Sequence, residues 1–278
     1  MPPELFFSYD ALKSKSIMVR DIYKWLGYSI NSSSDLGLYL NSVCSAVALK
    51  EKAEEIPETL QVNVLKAMRI MNLILGADPL ENSEVLLLWR VAKKSLEHGR
   101  SKSSVGLDAA WELDMLAHVR HRGISARIAE PDIKIDINGA EYSIACKRLN
   151  TPTGLENLIK DGCEQLFRHG EGIIAINLDI VAEPSTVLEF NCFIDGENYA
   201  QTLIDDFLSG QRHSLHRYVE KNEKLDGFLI SVSCATRIKE SHSDLDLCTA
   251  SRYLNYPKSA NHQSLRRFAA FFGAMRRR

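Results

Sequence analysis

Apolar residues in the first hundred positions recur at the three- and four-residue spacing of amphipathic helices. From Pro57 to Leu75 this spacing is regular and stops at Gly76, a residue type that commonly ends a helix. A second helix is predicted to begin at Asn82 or Ser83, which would be its N-cap, and to carry apolar side chains at Val85, Leu86, Trp89 and Leu96. This part of the chain is therefore predicted to be helical, and it contains no recognisable chemistry.

The segment 99–106 is polar, small and rich in serine and glycine, which is typical of a flexible connection between domains. We therefore expect an all-helical N-terminal domain at residues 1–99, serving target binding or partner assembly, and a second domain at residues 106–278. In the second domain the pattern becomes helix, three strands, helix and strand, which predicts an α/β fold.

The first helix of the second domain is predicted from Leu107 to Arg122, with Gly123 ending it. Glu112 lies on its apolar stripe, which is formed by Trp111, Met115, Leu116 and Val119. A carboxylate on a buried face is costly unless a cation or metal accompanies it. The alternative is that Glu112 lies at the edge of the stripe and reaches water.

A β-hairpin is predicted next, because the pattern changes to a two-residue alternation and contains the strong turn signal Asn138-Gly139. The first strand, which ends at Ile137, places Asp132, Lys134 and Asp136 on one face. The returning strand, Glu141–Leu149, places Ser143, Ala145 and Lys147 on one face. The hairpin is therefore expected to bring Asp132, position 145 and Lys147 together on a common side.

This order of elements resembles the PD-(D/E)xK nuclease superfamily, and the resemblance covers roughly Leu107 to Arg237. Its motif residues here are Glu112 on a helix, Pro131-Asp132 on a strand and Ala145-Cys146-Lys147 on the next strand. The resemblance implies a restriction-endonuclease-like mixed β-sheet flanked by helices. It also implies Mg²⁺ or Mn²⁺ as cofactor, since carboxylate-bound metal neutralises the phosphodiester and activates water.

The roles of individual residues follow from the same resemblance. Asp132 would be the central metal ligand, Glu112 would complete the metal shell directly or through water, and the Cys146 carbonyl would add a backbone oxygen. Lys147 would contact the attacking water or the scissile phosphate. Gln165, on a helix predicted from Gly154 to about His169, matches the glutamine with which a RecB-like subset orients the lysine or the DNA. Only the glutamine of that subset's motif is matched.

Ala145 occupies the position at which the superfamily has an acidic residue, and an alanine supplies no metal ligand. Three explanations remain open. The chain is an inactivated variant whose parent has Glu at 145, or a carboxylate from Glu164 or Asp161 replaces the missing one, or the site has decayed. The decayed form would be a catalytically silent nucleic-acid-binding or scaffolding protein. In the first and third cases, this chain is expected to be inactive or weakened.

The composition limits the expected surface charge, location and cysteine state of the protein but identifies no further functional residues. A net charge of −2 excludes a uniformly basic coat, so nucleic-acid contacts must come from local clusters of Lys and Arg. No apolar run reaches the roughly 18 residues of a membrane span, and the N-terminus lacks a secretion signal, so a cytoplasmic protein is expected. The 6 cysteines are scattered without a metal-binding motif and are expected to be reduced and mostly buried.

The expected function is therefore a metal-dependent nuclease, with DNA as the preferred partner and endonucleolytic cleavage as the reaction. A role in anti-phage genome defence follows by analogy alone. A homodimer or a partner subunit is also expected, because cutting both strands of a duplex commonly uses two such sites.

Overall fold

The computed structural model describes residues 8–97, 104–182, 187–241, 246–256 and 262–276. The chain divides into two compact units. The first unit comprises 1–113, 184–196 and 234–248, and the second comprises 114–183, 197–233 and 249–278. These bounds differ from the predicted domains, 1–99 and 106–278, which stay a prediction. Most of the predicted boundary segment, residues 98–103, lies outside the described part of the chain.

The N-terminal region is helical, as its hydrophobic spacing predicts. Its helices are α1 (Tyr9–Trp25), α2 (Asp35–Glu51), α3 (Glu58–Gly76) and α4 (Asn82–Lys93). The Ser8 and Ser34 side chains cap α1 and α2 by accepting hydrogen bonds from the backbone N–H of Ala11 and Gly37. Helix α3 ends at Gly76, as expected, and buries Val64, Met68 and Met71.

Helix α4 differs from the prediction in its cap and in its buried face. Its N-cap is Glu81, which forms no side-chain cap hydrogen bond, so neither Asn82 nor Ser83 caps it. The buried face is formed by Leu87, Leu88, Val91 and Ala92, whereas Leu86 and Trp89 are exposed. The spacing was ambiguous because apolar residues fill consecutive positions from 85 to 89, so more than one helical face could have been the core face.

The second half of the chain begins with the predicted order of helix, three strands, helix and strand. These elements are α5 (Val105–His121), β1 (Ala126–Ala129), β2 (Asp132–Ile137), β3 (Ala140–Arg148), α6 (Leu155–His169) and β4 (Gly172–Asn177). A short 3-10 turn, Pro152–Gly154, precedes α6. The remaining elements are α7 (Asp179–Ala182), β5 (Leu188–Phe190), α8 (Phe193–Ser209), α9 (Arg212–Lys221), β6 (Leu225–Ile238), β7 (Asp246–Leu254) and α10 (His262–Met275).

The strands form a mixed sheet of 7 strands in the order β1-β2-β3-β4-β6-β5, with β7 also paired to β6. The pairs β1/β2 and β2/β3 are antiparallel, whereas β3/β4, β4/β6 and β5/β6 are parallel. The sequence therefore correctly predicts an α/β fold with a mixed sheet flanked by helices and a helical N-terminal region. No helix in the described ranges is both long and apolar enough to cross a membrane.

Within the second unit, α6 and α10 cover opposite faces of the sheet. A methyl group at Gly162 of α6 would lie 2.7 Å from Cδ1 of Ile174 on β4, so the helix lies close to that strand. On the other face, the rings of Tyr142 on β3 and Phe271 on α10 lie 5.6 Å apart. A methyl group at Gly227 of β6 would similarly meet Phe268 of α10 at 2.6 Å. The central strands are therefore buried on both faces.

A glycine also marks the start of β4. A Cβ at Gly172 would lie 1.9 Å from the backbone carbonyl oxygen of Ser143 on β3, a distance at which no side chain fits. The Gly172 N–H donates to the carbonyl of Lys224, and the Ser143 N–H donates to the carbonyl of Glu171.

The 6 cysteines are free, as predicted. Cys163, Cys234 and Cys248 are buried, but Cys146 and Cys192 are only partly buried and Cys44 is exposed, so the expectation that most are buried holds for half of them.

Candidate active site

The β2–β3 hairpin is the scaffold of the candidate site. Its two-residue turn has φ of 56° at Asn138 and 80° at Gly139, the left-handed conformation that Asn-Gly favours. Lys134 pairs with Ser143, and the Lys134 Nζ donates to the Ser143 Oγ at 2.9 Å, so these two side chains share one face. Because strand side chains alternate, Asp132, Ala145 and Lys147 belong to that same face. The parity predicted from the sequence is confirmed.

Asp132 is the first residue of β2 and is half-buried. Its Oδ2 accepts a hydrogen bond of 2.7 Å from the backbone N–H of Cys146 on β3. This contact holds the carboxylate against the backbone of β3 at Cys146. Pro131, predicted on the strand, lies instead in the turn that connects β1 to β2. Its ring carries no N–H to pair in a sheet, which suits a turn position.

Ala145 is fully buried, with no exposed surface. It pairs with Ile174 on β4, the residue whose side chain packs against Gly162 of α6. The position therefore lies in the layer between the sheet and α6. A carboxylate there would need a cation or hydrogen-bond donors to offset its desolvation.

Lys147 follows on the same face, is half-buried and pairs with Ile176 on β4. The residues on either side of Lys147, Cys146 and Arg148, have different surroundings. Cys146 is partly buried and contributes its N–H to Asp132, while its carbonyl stays only a predicted metal ligand. Arg148, on the opposite face by strand alternation, is buried.

Gln165 lies on α6, one helical turn after Gly162, and therefore on the side of α6 that faces the sheet. Its Oε1 atom is buried and accepts no hydrogen bond from the residues that the structure describes. A buried amide oxygen without a donor is costly, so this atom is available to a donor that approaches the site.

Lys134 belongs to the same face, and its importance was not recognised in the sequence. It is 7 % exposed, and its ammonium also donates to the carbonyl of His169 at the C-terminal end of α6. It forms an ion pair of 2.9 Å with the Glu141 Oε1, and this hydrogen bond, followed by one from Arg127, lowers the pKa of Glu141. Lys134 thus ties α6 to the hairpin. The available signal was a lysine opposite a serine across the predicted turn.

Glu112 is half-buried on α5, next to the buried residues Trp111, Met115, Leu116 and Val119, as predicted. It belongs to the first unit, whereas Asp132, Lys147 and Gln165 belong to the second. Its predicted role as a metal ligand stays a prediction from the sequence.

The two carboxylates considered as replacements at the site are both exposed. Asp161 and Glu164 lie on the outer part of α6, and Glu164 forms an ion pair of 3.5 Å with Arg168. Neither side chain is directed into the layer that contains Ala145. Migration of the missing carboxylate to either position is not supported.

The side chains present fit a divalent metal poorly. Mg²⁺ and Mn²⁺ require several oxygen ligands, and position 145 offers none from its side chain. Across the part of the chain that the structure describes, no group of 3 or more His, Cys, Asp or Glu residues is arranged to hold a metal ion.

No protein-family model, curated protein or solved structure matches this chain. The likeness to the PD-(D/E)xK superfamily therefore depends on the residues and the order of elements described above.

Proposed function

We propose that the chain is a restriction-endonuclease-like, metal-dependent nuclease whose own activity is lost or weakened by Ala145. Its substrate is DNA, cut internally, and genome defence is the proposed setting. The observation that carries this proposal is the common face of the β2–β3 hairpin, on which Asp132, position 145 and Lys147 lie together. The buried Oε1 atom of Gln165 on the covering helix is a second support.

The side chains have complementary roles in this proposal. Asp132 is oriented by the hydrogen bond from the Cys146 N–H, which limits the rotation of its carboxylate. The Lys147 ammonium donates to an oxygen of the scissile phosphate and offsets the charge that develops during attack. Gln165 Oε1 accepts a hydrogen bond from Lys147 or from the nucleic acid. The remaining requirement is a carboxylate at position 145, which this chain lacks.

A second candidate function is a catalytically silent nucleic-acid-binding or scaffolding protein that keeps the nuclease fold. The complete burial of Ala145 favours it, since the position is packed as part of the core. The two functions differ in whether nuclease activity is restored when a carboxylate is introduced at position 145.

The test is Ala145→Glu, with Ala145→Gln as a control of nearly identical shape and no charge. Each protein is incubated with Mg²⁺ or Mn²⁺ and plasmid, linear duplex DNA, single-stranded DNA or RNA. We expect the Glu variant alone to cut DNA, and Asp132→Asn or Lys147→Ala introduced into it to abolish cleavage. If a folded Glu variant cuts none of these substrates, with or without a partner subunit, the nuclease proposal fails and the silent protein remains.

A further inference from the structure

One face of helix α4 is directed away from the core although it carries large apolar side chains. Leu86 is 55 % exposed and Trp89 is 37 % exposed, while their neighbours Leu87 and Leu88 are buried. Arg90 and Lys93 lie on the same face, because residues three, four and seven positions apart are neighbours on a helix. Adjacent exposed apolar side chains, when surrounded by polar residues, commonly mark interaction sites.

The ammonium group of one lysine lies over two aromatic rings in this region. The Lys93 Nζ lies 4.6 Å from the centroid of the Trp89 ring and 5.2 Å from that of the Tyr28 ring. The segments that carry these two rings are joined, since the Tyr28 backbone N–H donates to the Tyr23 carbonyl and the Tyr23 hydroxyl donates to the Leu88 carbonyl at 2.7 Å. Trp25, 62 % exposed, ends α1 just before Tyr28.

The charge of this region is mainly positive. Residues 22–30 and 85–96 contain Lys24, Arg90, Lys93 and Lys94 and no acidic residue, and the exposed Asp21 lies one turn before Trp25 on α1. Cations in the last turn of a helix are favourable for the helix itself. That effect accounts for the charges but leaves the exposed rings of Trp25 and Trp89 unexplained.

We propose that the surface formed by Tyr28, Trp89 and Lys93 binds single-stranded nucleic acid. Unpaired bases stack on the aromatic rings, and the surrounding cations neutralise the phosphates. A duplex keeps its base faces covered, and an acidic peptide would use the charges but gain little from the rings. The proposal goes beyond nuclease activity and extends it by giving the chain a means of holding an unpaired strand, but the binding itself does not depend on cleavage.

The test uses the full chain in EDTA, so that binding is measured without metal-dependent cleavage. Fluorescence anisotropy follows labelled oligothymidylate and oligouridylate of about 20 nucleotides, longer than a typical single-strand footprint. A duplex of equal length and polyglutamate serve as competitors. The variants are Trp89→Ala and Lys93→Ala. Lys50→Ala is the matched control, because its Nζ also lies over an aromatic ring, that of the buried Tyr9, at 4.9 Å.

We expect single strands to bind more tightly than the duplex, with affinity falling between about 50 and 200 mM salt. Trp89→Ala and Lys93→Ala should each weaken binding by at least about fivefold, and Lys50→Ala by less than about twofold. Preference between the thymidylate and the uridylate distinguishes DNA from RNA. Circular dichroism of each variant checks folding, which these exposed side chains should leave intact.

The proposal is overturned if neither single strand binds, if the duplex or polyglutamate binds as well as the single strands, or if a folded Trp89→Ala variant binds normally. Tryptophan fluorescence gives a second reading, since Trp111 is buried and only Trp25 and Trp89 are exposed to a stacking base. Quenching by oligothymidylate must decrease in Trp89→Ala. If the Ala145→Glu variant binds single strands but does not cleave, the nuclease proposal is rejected and the binding proposal is retained. If it cleaves but does not bind single strands through this surface, the binding proposal is rejected and the nuclease proposal is retained.

Discussion

Asp132 and Cys146 are joined across the hairpin by a hydrogen bond of 2.7 Å from the Cys146 N–H to the Asp132 Oδ2. Asp132→Ala should lower the free energy of unfolding by about 1–2 kcal/mol, because it leaves the N–H without its acceptor. Asp132→Asn should cost less, since its side-chain oxygen can still accept this bond. Urea denaturation of both variants measures the difference. Equal losses in the two variants would mean that the bond does not hold the strand end.

Metal affinity should depend on position 145 even where cleavage is not measured. Titration calorimetry with Mn²⁺ should give binding at least about tenfold tighter for Ala145→Glu than for the chain as it stands, because each added carboxylate contributes a charged oxygen ligand. Ala145→Gln should resemble the chain with alanine. Adding Asp132→Asn to the Glu variant should remove the gain, and a gain that persists would place the metal elsewhere.

Lys134 is expected to be important for stability. Lys134→Met removes an ammonium that the Ser143 hydroxyl, the His169 carbonyl and Glu141 share, and it should lower the free energy of unfolding by about 2 kcal/mol. The exposed Lys160 on α6 provides the control, since Lys160→Met should change stability little.

The Lys134→Met variant should also change the titration of Glu141. Because the hydrogen bond from Lys134 is the main cause of the lowered pKa of Glu141, that pKa should rise toward its ordinary value of 4.5 in Lys134→Met. Carboxyl chemical shifts followed by NMR across acidic pH report it. An unchanged Glu141 titration would show that Arg127 alone maintains the shift.

Stability should fall as the pH is lowered through the histidine range. Burial is the main cause of the lowered pKa of His118; Asp114 opposes it, and Arg122 and His121 add to it. The folded chain therefore binds fewer protons than the unfolded chain. The stability from this group is complete above the ordinary pKa of 6.5 and is lost as the pH falls from 6.5 toward the folded value.

The check is urea denaturation between about pH 5 and pH 8, where histidines titrate. His118→Gln should flatten the slope of unfolding free energy against pH just below 6.5. His213→Gln, which replaces an exposed histidine of α9, is the matched control. If His118→Gln keeps the slope of unfolding free energy against pH, that slope arises from titratable groups other than His118.

A buried ion pair holds α10 to the sheet. The Asp226 carboxylate is completely buried and accepts hydrogen bonds of 2.8 and 2.7 Å from the Nε and Nη2 of Arg267. Arg267→Ala should lower the free energy of unfolding by about 3–5 kcal/mol, because it leaves a buried charge without its partner. Asp226→Asn added to it should recover part of that loss in thermal or urea unfolding. The exposed Arg266 is the control, and comparable losses in Arg266→Ala would argue against a specific pair.

The elements predicted correctly from the sequence are mostly those marked by strong local patterns such as turn residues and helix-ending glycines. The Asn138-Gly139 turn set the hairpin and therefore its faces, and Gly76 and Gly123 marked where α3 and α5 end. The helix predicted to carry Leu96 instead ends at Lys93, and the strand predicted from Glu141 to Leu149 instead spans Ala140–Arg148. Local spacing identified these segments but could not place their ends, which depend on tertiary packing.

The candidate site was predictable only in part, because tertiary packing cannot be read from local sequence patterns. Strand alternation gave the common face of Asp132, Ala145 and Lys147, because it needs no long-range information. The burial of Ala145 beneath α6 and the contact of Lys134 with the end of that helix depend on how a later helix packs on the sheet. The exposure of Trp89 likewise depended on which face of α4 the other helices cover.

Gly172 has a consequence for alignment within the sheet. Parallel neighbours have no tight turn to fix how far one strand slides along the other, and a slide of two residues would keep every side chain on its own face. A slide of β4 that brought Ile174 to the Ser143 carbonyl would place its Cβ about 1.9 Å from the oxygen. The opposite slide would bring Gly170, which has no Cβ, so this close approach excludes slippage in one direction only. In that direction it keeps Ala145 paired with Ile174.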